Sequence, residues 1–174
     1  MTPQASDQTP KKAPTTAAVC GLCCDACSIF IGSQEDPKRL EMFAARMGWT
    51  LEEAYCDGCR SDRRTPYCQA CDLYECAEGR GYAFCSECEE YPCADLRAFQ
   101  EERPHRKELY GDLARIGEIG PEAWLVEVKE RYTCPSCSTL NSAYDLKCRK
   151  CGHEPGSSYV AVYRDAIVEA LARR

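Results

Sequence analysis

Short amphipathic stretches alternate along this chain with stretches that show no apolar period. Asp36-Pro37 opens the first helical pattern under the cap-then-proline rule: Leu40, Phe43 and Met47 fall at i, i+3 and i+7, and Gly48 ends it. A second short helix starts at Thr50, where the T-x-x-E spacing to Glu53 makes a capping box. Leu96 and Phe99 mark a helix closed by Pro104, and Leu109, Leu113 and Ile116 mark another that ends near Gly117 or Gly120. Pro121 begins the next, with Trp124, Leu125 and Val128 on one face. From Ser157 a last stripe runs through Val160, Tyr163, Ile167, Ala170 and Leu171. These stripes predict core-facing helices rather than a cofactor box.

The cysteines lie between the helices. Sixteen occur in 174 residues, and fourteen of them form seven C-x-x-C pairs: 20/23, 24/27, 56/59, 68/71, 85/88, 134/137 and 148/151. A two-residue gap lets both sulfurs face one ion at about 2.3 Å, whereas disulfide frameworks usually join cysteines distant in sequence. The N-terminus lacks the apolar core of a signal peptide, and no run of about 18 apolar residues occurs. The expectation is a cytoplasmic metalloprotein without a membrane span. Residues 1–18, rich in Pro, Thr, Ala and Gln, read as a disordered tail. Residues 19–131 then form a Cys-rich metal-binding domain, and 132–174 a zinc ribbon with a C-terminal helix. The predicted fold is small, mostly α and metal-stabilised, with Cys knuckle loops between short helices, a zinc-ribbon hairpin and a final helix.

The clearest constellation is YTCPSCSTLNSAYDLKCRKCG, in which Cys134 and Cys137 precede Cys148 and Cys151 by the spacing of a zinc ribbon. His153 is then surplus and belongs on the surface. Upstream, C-x-x-C-[DE]-x-Y-x-C occurs twice, at Cys68–Cys76 and Cys85–Cys93, which predicts equivalent packing of Tyr74 and Tyr91. Proximity in sequence groups Cys56, Cys59, Cys68 and Cys71 in one site and Cys76, Cys85, Cys88 and Cys93 in another; a triplet could equally take its fourth ligand from the N-terminal cluster. That cluster, CGLCCDAC, offers Cys20, Cys23, Cys24 and Cys27. Its C-x3-C-x2-C reading matches the radical-SAM spacing, but the chain has neither the length nor the strand pattern of that barrel. All sixteen cysteines are candidate ligands, for about three to four zinc ions or, at the upstream positions, for an iron-sulfur cluster.

Charge narrows the partners. The formal net charge is −6, and four sites of four thiolates would take it to about −14. Such a molecule repels phosphate backbones, which argues against nucleic acid and for another protein as the partner. Lys147, Arg149 and Lys150 read as a solvated basic rim, and Arg60, Arg63, Arg64 and Arg80 as offsets to thiolate charge. Glu87, Glu89 and Glu90 read as solvated, and His105 as exposed, with no nucleophile and base to pair.

CGLCCDAC, CDGCR at 56, the C-x2-C-x4-C-x8-C-x2-C-x4-C run ending in EYPC, a Leu-Phe helix, EIGPEAWL and the closing ribbon together resemble the family called domain of unknown function 3795. The likeness covers roughly residues 19–152. It implies a soluble prokaryotic protein with metal-binding cysteines and carries no activity. The family's opening matches Cys20, Cys24 and Cys27, which makes Cys23 the extra cysteine and leaves eleven upstream ligands, a number that four does not divide. The leading expectation is a non-enzymatic zinc protein whose knuckles build a surface for another protein. The alternative is an iron-sulfur protein in electron transfer or cluster-dependent catalysis, and a weaker third is a thiol-based metal buffer or redox sensor. Because the apolar core is thin, chelation is predicted to unfold the chain cooperatively; a circular dichroism spectrum and melting curve unchanged by complete metal removal would contradict this.

Overall fold

The helices form where capping residues meet an apolar stripe. The computed structural model describes residues 13–173, and among them α1 (Ser28–Gln34), α2 (Pro37–Met47) and α3 (Leu51–Ala54) come first. The Asp36 carboxylate accepts from the Arg39 amide to cap α2, and Thr50 and Glu53 close the capping box of α3. α4 (Pro66–Gln69) and α5 (Asp72–Arg80) follow, then α6 (Ala94–Glu102), α7 (Leu109–Ile119), α8 (Pro121–Tyr132) and α9 (Ser158–Ala172). The α7 helix runs to Gly120 rather than Gly117, and α9 kinks at Tyr163. The fold is mostly helical with no sheet among the described residues; extended backbone pairs only at Ala17 with Cys23 and Thr133 with Leu140.

Two apolar clusters hold these pieces. The larger gathers Ala17, Val19, Leu73, Phe84, Leu96, Leu109, Leu113, Trp124, Val128, Tyr159, Val160 and Ile167. The smaller packs Leu40, Ala44 and Ala54 where α2 meets α3. The expected boundary between 131 and 132 falls within α8, whose last residue, Tyr132, lies 4.9 Å from Tyr159 of α9 between ring centroids. The loop after α8 is tied back to the N-terminal helices: the Arg39 guanidinium meets Asp145 at 3.1 and 3.0 Å, and the Ser28 and Ser142 hydroxyls lie 2.8 Å apart.

The expected disordered tail needs correcting where it is described. Residues 1–12 lie outside the described residues, whereas residues from Ala13 onward enter the packing. Ala17 and Ala18 are buried, and the Thr16 carbonyl accepts from the Cys24 amide at 2.8 Å. Polar composition concealed a segment held by its backbone. The repeat also differs from expectation. Its first copy lies on α4 and α5, where Arg64 stacks over Tyr74 at 4.0 Å; its second forms a turn at Cys85–Glu87, and Tyr91 meets Tyr110 edge-on at 6.3 Å. Identical spacing therefore gives two different local structures, because the two copies have different neighbours.

Buried polarity between α7 and α8 is fully used. Asp112 accepts from the Trp124 indole N–H at 3.0 Å and pairs with Arg131, which also pairs with Glu108. Asp112→Ala leaves a buried indole N–H and a guanidinium short of an acceptor, so it is expected to cost about 2–3 kcal/mol. Urea unfolding of the metal-loaded protein measures this, and an unchanged midpoint would refute it.

Candidate metal centres

Cys134 follows directly on the end of α8, where the Thr133 hydroxyl donates to the Lys129 carbonyl at 2.8 Å. From there the chain turns tightly: the Cys134 amide donates to the Thr139 carbonyl, and the Ser138 amide to the Cys134 carbonyl, each at 2.9 Å. The second turn repeats the device, with the Cys148 amide donating to the His153 carbonyl at 2.8 Å and the Gly152 amide to the Cys148 carbonyl at 3.0 Å. Both turns bring their sulfurs inward. The four sulfurs of Cys134, Cys137, Cys148 and Cys151 all lie within 4.8 Å of one another. Cys134 and Cys151 are 3.7 Å apart, and Cys137 and Cys148 are 3.6 Å apart. A tetrahedron with metal–sulfur bonds of about 2.3 Å has edges of about 3.8 Å. The cluster is thus sized for a metal ion.

Two residues that sequence reasoning passed over hold the turns together. Asn141, fully buried, accepts from the Arg149 amide at 3.0 Å and donates to the Thr139 and Gly156 carbonyls, each at 3.0 Å. One side chain thereby ties the first turn to the second. At Gly156 a methyl group would collide with the Asp145 carbonyl oxygen and stand 3.0 Å from the Lys147 carbonyl carbon. Nothing in TLNSAYD announces the asparagine as anything but a loop residue.

The thiols feel this arrangement. Burial opposes ionisation of Cys148, but the Cys151 and Lys150 amides and the neighbouring sulfurs bring its pKa down to about 6. Hydrogen bonds from the Thr139 hydroxyl and backbone lower Cys137. His153 is exposed, as expected of a surplus residue. The expected basic rim is largely occupied: Arg149 pairs with Glu35 and donates to the Leu140 carbonyl, and Lys147 meets Glu154 at 3.1 Å.

Upstream, the thiols act on one another's ionisation. Burial pushes the Cys68 thiol up to about 12, with Cys27, Cys56 and Cys59 as its charged neighbours. Burial likewise raises Cys24 beside Cys59, Cys27 and Cys56. Cys20 is raised by burial and by Cys59, Cys85 and Cys71, whereas Cys85 reaches about 12 through burial and the thiols of Cys93, Cys76, Cys71 and Cys88. Cys56 and Cys68 therefore adjoin Cys27 of the N-terminal cluster, and Cys71 adjoins Cys20 and Cys85. Cys23 stands apart: its sulfur is 3.7 Å from the Asp25 carboxylate, and its other charged neighbour is Lys129. All sixteen cysteines are free thiols.

The arginines serve the thiols and the backbone together. Arg60 is buried, donates to the Ala17 carbonyl at 2.7 Å and to the Ala83 carbonyl, and lies over Phe84. With Arg64 it favours ionisation of Cys59 against the burial that raises it. Arg80 reaches the Cys88 sulfur at 3.7 Å, and Arg63 covers Tyr55. Glu87, Glu89 and Glu90 are exposed. The expectation of an exposed His105 needs correcting, since it is half-buried with Nδ1 2.7 Å from the Tyr144 hydroxyl.

Residues 16–98 match the family model described as "Protein of unknown function (DUF3795)", which supports the likeness to that cysteine-rich family over the upstream half of the chain. No curated protein and no solved structure matches the chain.

Removing the tie between the two turns should loosen the site without touching a sulfur. Asn141→Leu is expected to weaken metal binding by about 10–100-fold. Chelator competition measures this, and wild-type affinity in that variant would refute the role of Asn141.

Proposed function

We propose that the protein is a cytoplasmic zinc-binding protein whose C-terminal four-thiolate centre is structural and whose metal-tied surface docks another protein. The observation that carries the zinc reading is the pair of sulfur separations, 3.7 and 3.6 Å, at Cys134–Cys151 and Cys137–Cys148. Four thiolates at tetrahedral spacing suit a soft ion that prefers four-coordination, as zinc does. The two turns have the bonding of zinc-ribbon knuckles. The ten-residue connection between them is irregular and anchored by Asn141 and Asp145 in place of a hairpin.

Sixteen free thiols suit a reducing compartment. A protein partner is favoured over nucleic acid by the net charge of −6 and by the engagement of Arg149 and Lys147 with carboxylates. Exposed Met42, Met47 and Leu51, along α2 and α3, offer adaptable apolar contact for it.

Elemental analysis of purified protein tests the centre. One zinc per C-terminal site should be present in wild type and lost in Cys148→Ser; zinc content unaffected by Cys148→Ser would overturn the reading.

A further inference from the structure

The three N-terminal helices form a unit of their own. Leu40, Ala44 and Ala54 pack together with Ile29, Trp49 and Tyr55 against them, in a cluster separate from the large core. At Gly32 a methyl group would come within 2.9 Å of the Leu40 amide nitrogen, so α1 and α2 pack closely as one piece. The longest of the three, α2, has 11 residues. Helices of that length are marginal in water, so the unit depends on what it is docked to.

Its polar contacts lead to two cysteine-bearing regions. One is the connection between the C-terminal turns. There the Arg39 guanidinium takes both oxygens of Asp145 at 3.1 and 3.0 Å, with both side chains largely buried. Ser28 Oγ donates to Ser142 Oγ at 2.8 Å, and Glu35 pairs with Arg149. Asp145 also accepts from the Ser142 amide at 2.8 Å, and Arg149, which stands between Cys148 and Cys151, has its amide on Asn141. The second region is the turn at Cys56. Ser33 Oγ accepts from the Cys56 amide at 2.9 Å, and Gln34 Nε2 donates to the Cys56 carbonyl and to Asp57, each at 3.2 Å. Cys27 is itself the residue that precedes α1, and its carbonyl accepts from the Ile31 amide at 2.9 Å. The α1 helix thus begins at one upstream cysteine and ends against another, while Ser28 and Glu35 at its two ends hold the C-terminal connection.

We infer that α1–α3 couple the C-terminal centre to the upstream turns. An ion held by Cys134, Cys137, Cys148 and Cys151 fixes residues 139–149, these keep α1–α3 docked, and the docked helices hold Cys27 and Cys56 in place. The unit has two states, docked and folded or released and frayed, and the ion favours the first because only the fixed connection presents Ser142, Asp145 and Arg149 together. By linkage, docking strengthens ion binding at the C-terminal centre by the same factor by which the ion strengthens docking. The coupling rests on the metal reading of that centre and holds whatever the upstream thiols bind.

Leu40→Ala tests the coupling, because it hollows the small cluster and removes none of the polar contacts to residues 139–149. In the zinc-loaded full chain, alkylation resolved by cysteine against increasing chelator reads the C-terminal centre through Cys137 and Cys151 and the upstream turn through the buried Cys56. Hydrogen exchange reads the helices. In the variant, exchange through α1–α3 and alkylation of Cys56 should both speed up. Cys137 and Cys151 should lose protection at about 5–150-fold less chelator, the span usual for coupled sites, while exchange in α7 and α9 stays as in wild type. Faster exchange in α1–α3 with Cys137 and Cys151 protected as in wild type would overturn the coupling, and so would unchanged exchange in α1–α3. If Leu40→Ala also unfolds α7 and α9, Thr50→Ala, which removes only the cap of α3, takes its place with the same outcomes on either side. Rapid alkylation of the exposed Cys151 in zinc-loaded wild type without chelator would instead overturn the metal reading, and the coupling with it.

Discussion

The segment Thr15–Cys20 lies between two cysteine turns and is bonded on both sides. Arg60 grips it from one side through the Thr15 and Ala17 carbonyls, and the Cys85 amide from the other through Val19. Arg60 also reaches the Ala83 carbonyl, so one guanidinium joins three stretches that are far apart in sequence. A chain whose helices run from four to fifteen residues, with no sheet among the described residues, needs such ties. Isolated helices of that length are marginal in water, and packing between them depends on the loops that set their spacing. Here those loops carry the thiols.

A bound cation would suit the electrostatics of these loops. Burial holds Cys20, Cys24, Cys56, Cys59, Cys68 and Cys85 in their neutral forms, and neighbouring thiols raise most of them further. Ionising them together without a counter-charge would place like charges side by side in a medium that solvates them poorly. A cation reverses that penalty, and the ligand protons leave as it binds. At the C-terminal centre the backbone has done part of this work, since amides around Cys148 already favour its thiolate.

The sequence showed the elements whose signals are local. Asp36-Pro37, the Thr50–Glu53 capping box, Pro121 and Ser157 each placed a helix start within a residue of where it lies, because a cap depends only on its own neighbours. The spacing of Cys134, Cys137, Cys148 and Cys151 likewise announced a cluster that the structure assembles. What stayed hidden depends on distant partners. The packing of Ala17 and Ala18 follows from Arg60 and Cys85, and α5 is masked by a cysteine repeat whose two copies fold differently. Grouping the upstream cysteines by proximity in sequence leaves out Cys20, Cys24 and Cys27, which the fold brings beside Cys59 and Cys56.

The C-terminal centre turns on whether thiolates alone complete it, since His153 follows Cys151 closely in sequence and is exposed. X-ray absorption at the zinc edge of the full-length protein decides this most directly. The account predicts four sulfur neighbours at about 2.3 Å and no nitrogen in the shell. A shell of three sulfurs and one nitrogen, or of light atoms alone, would contradict it.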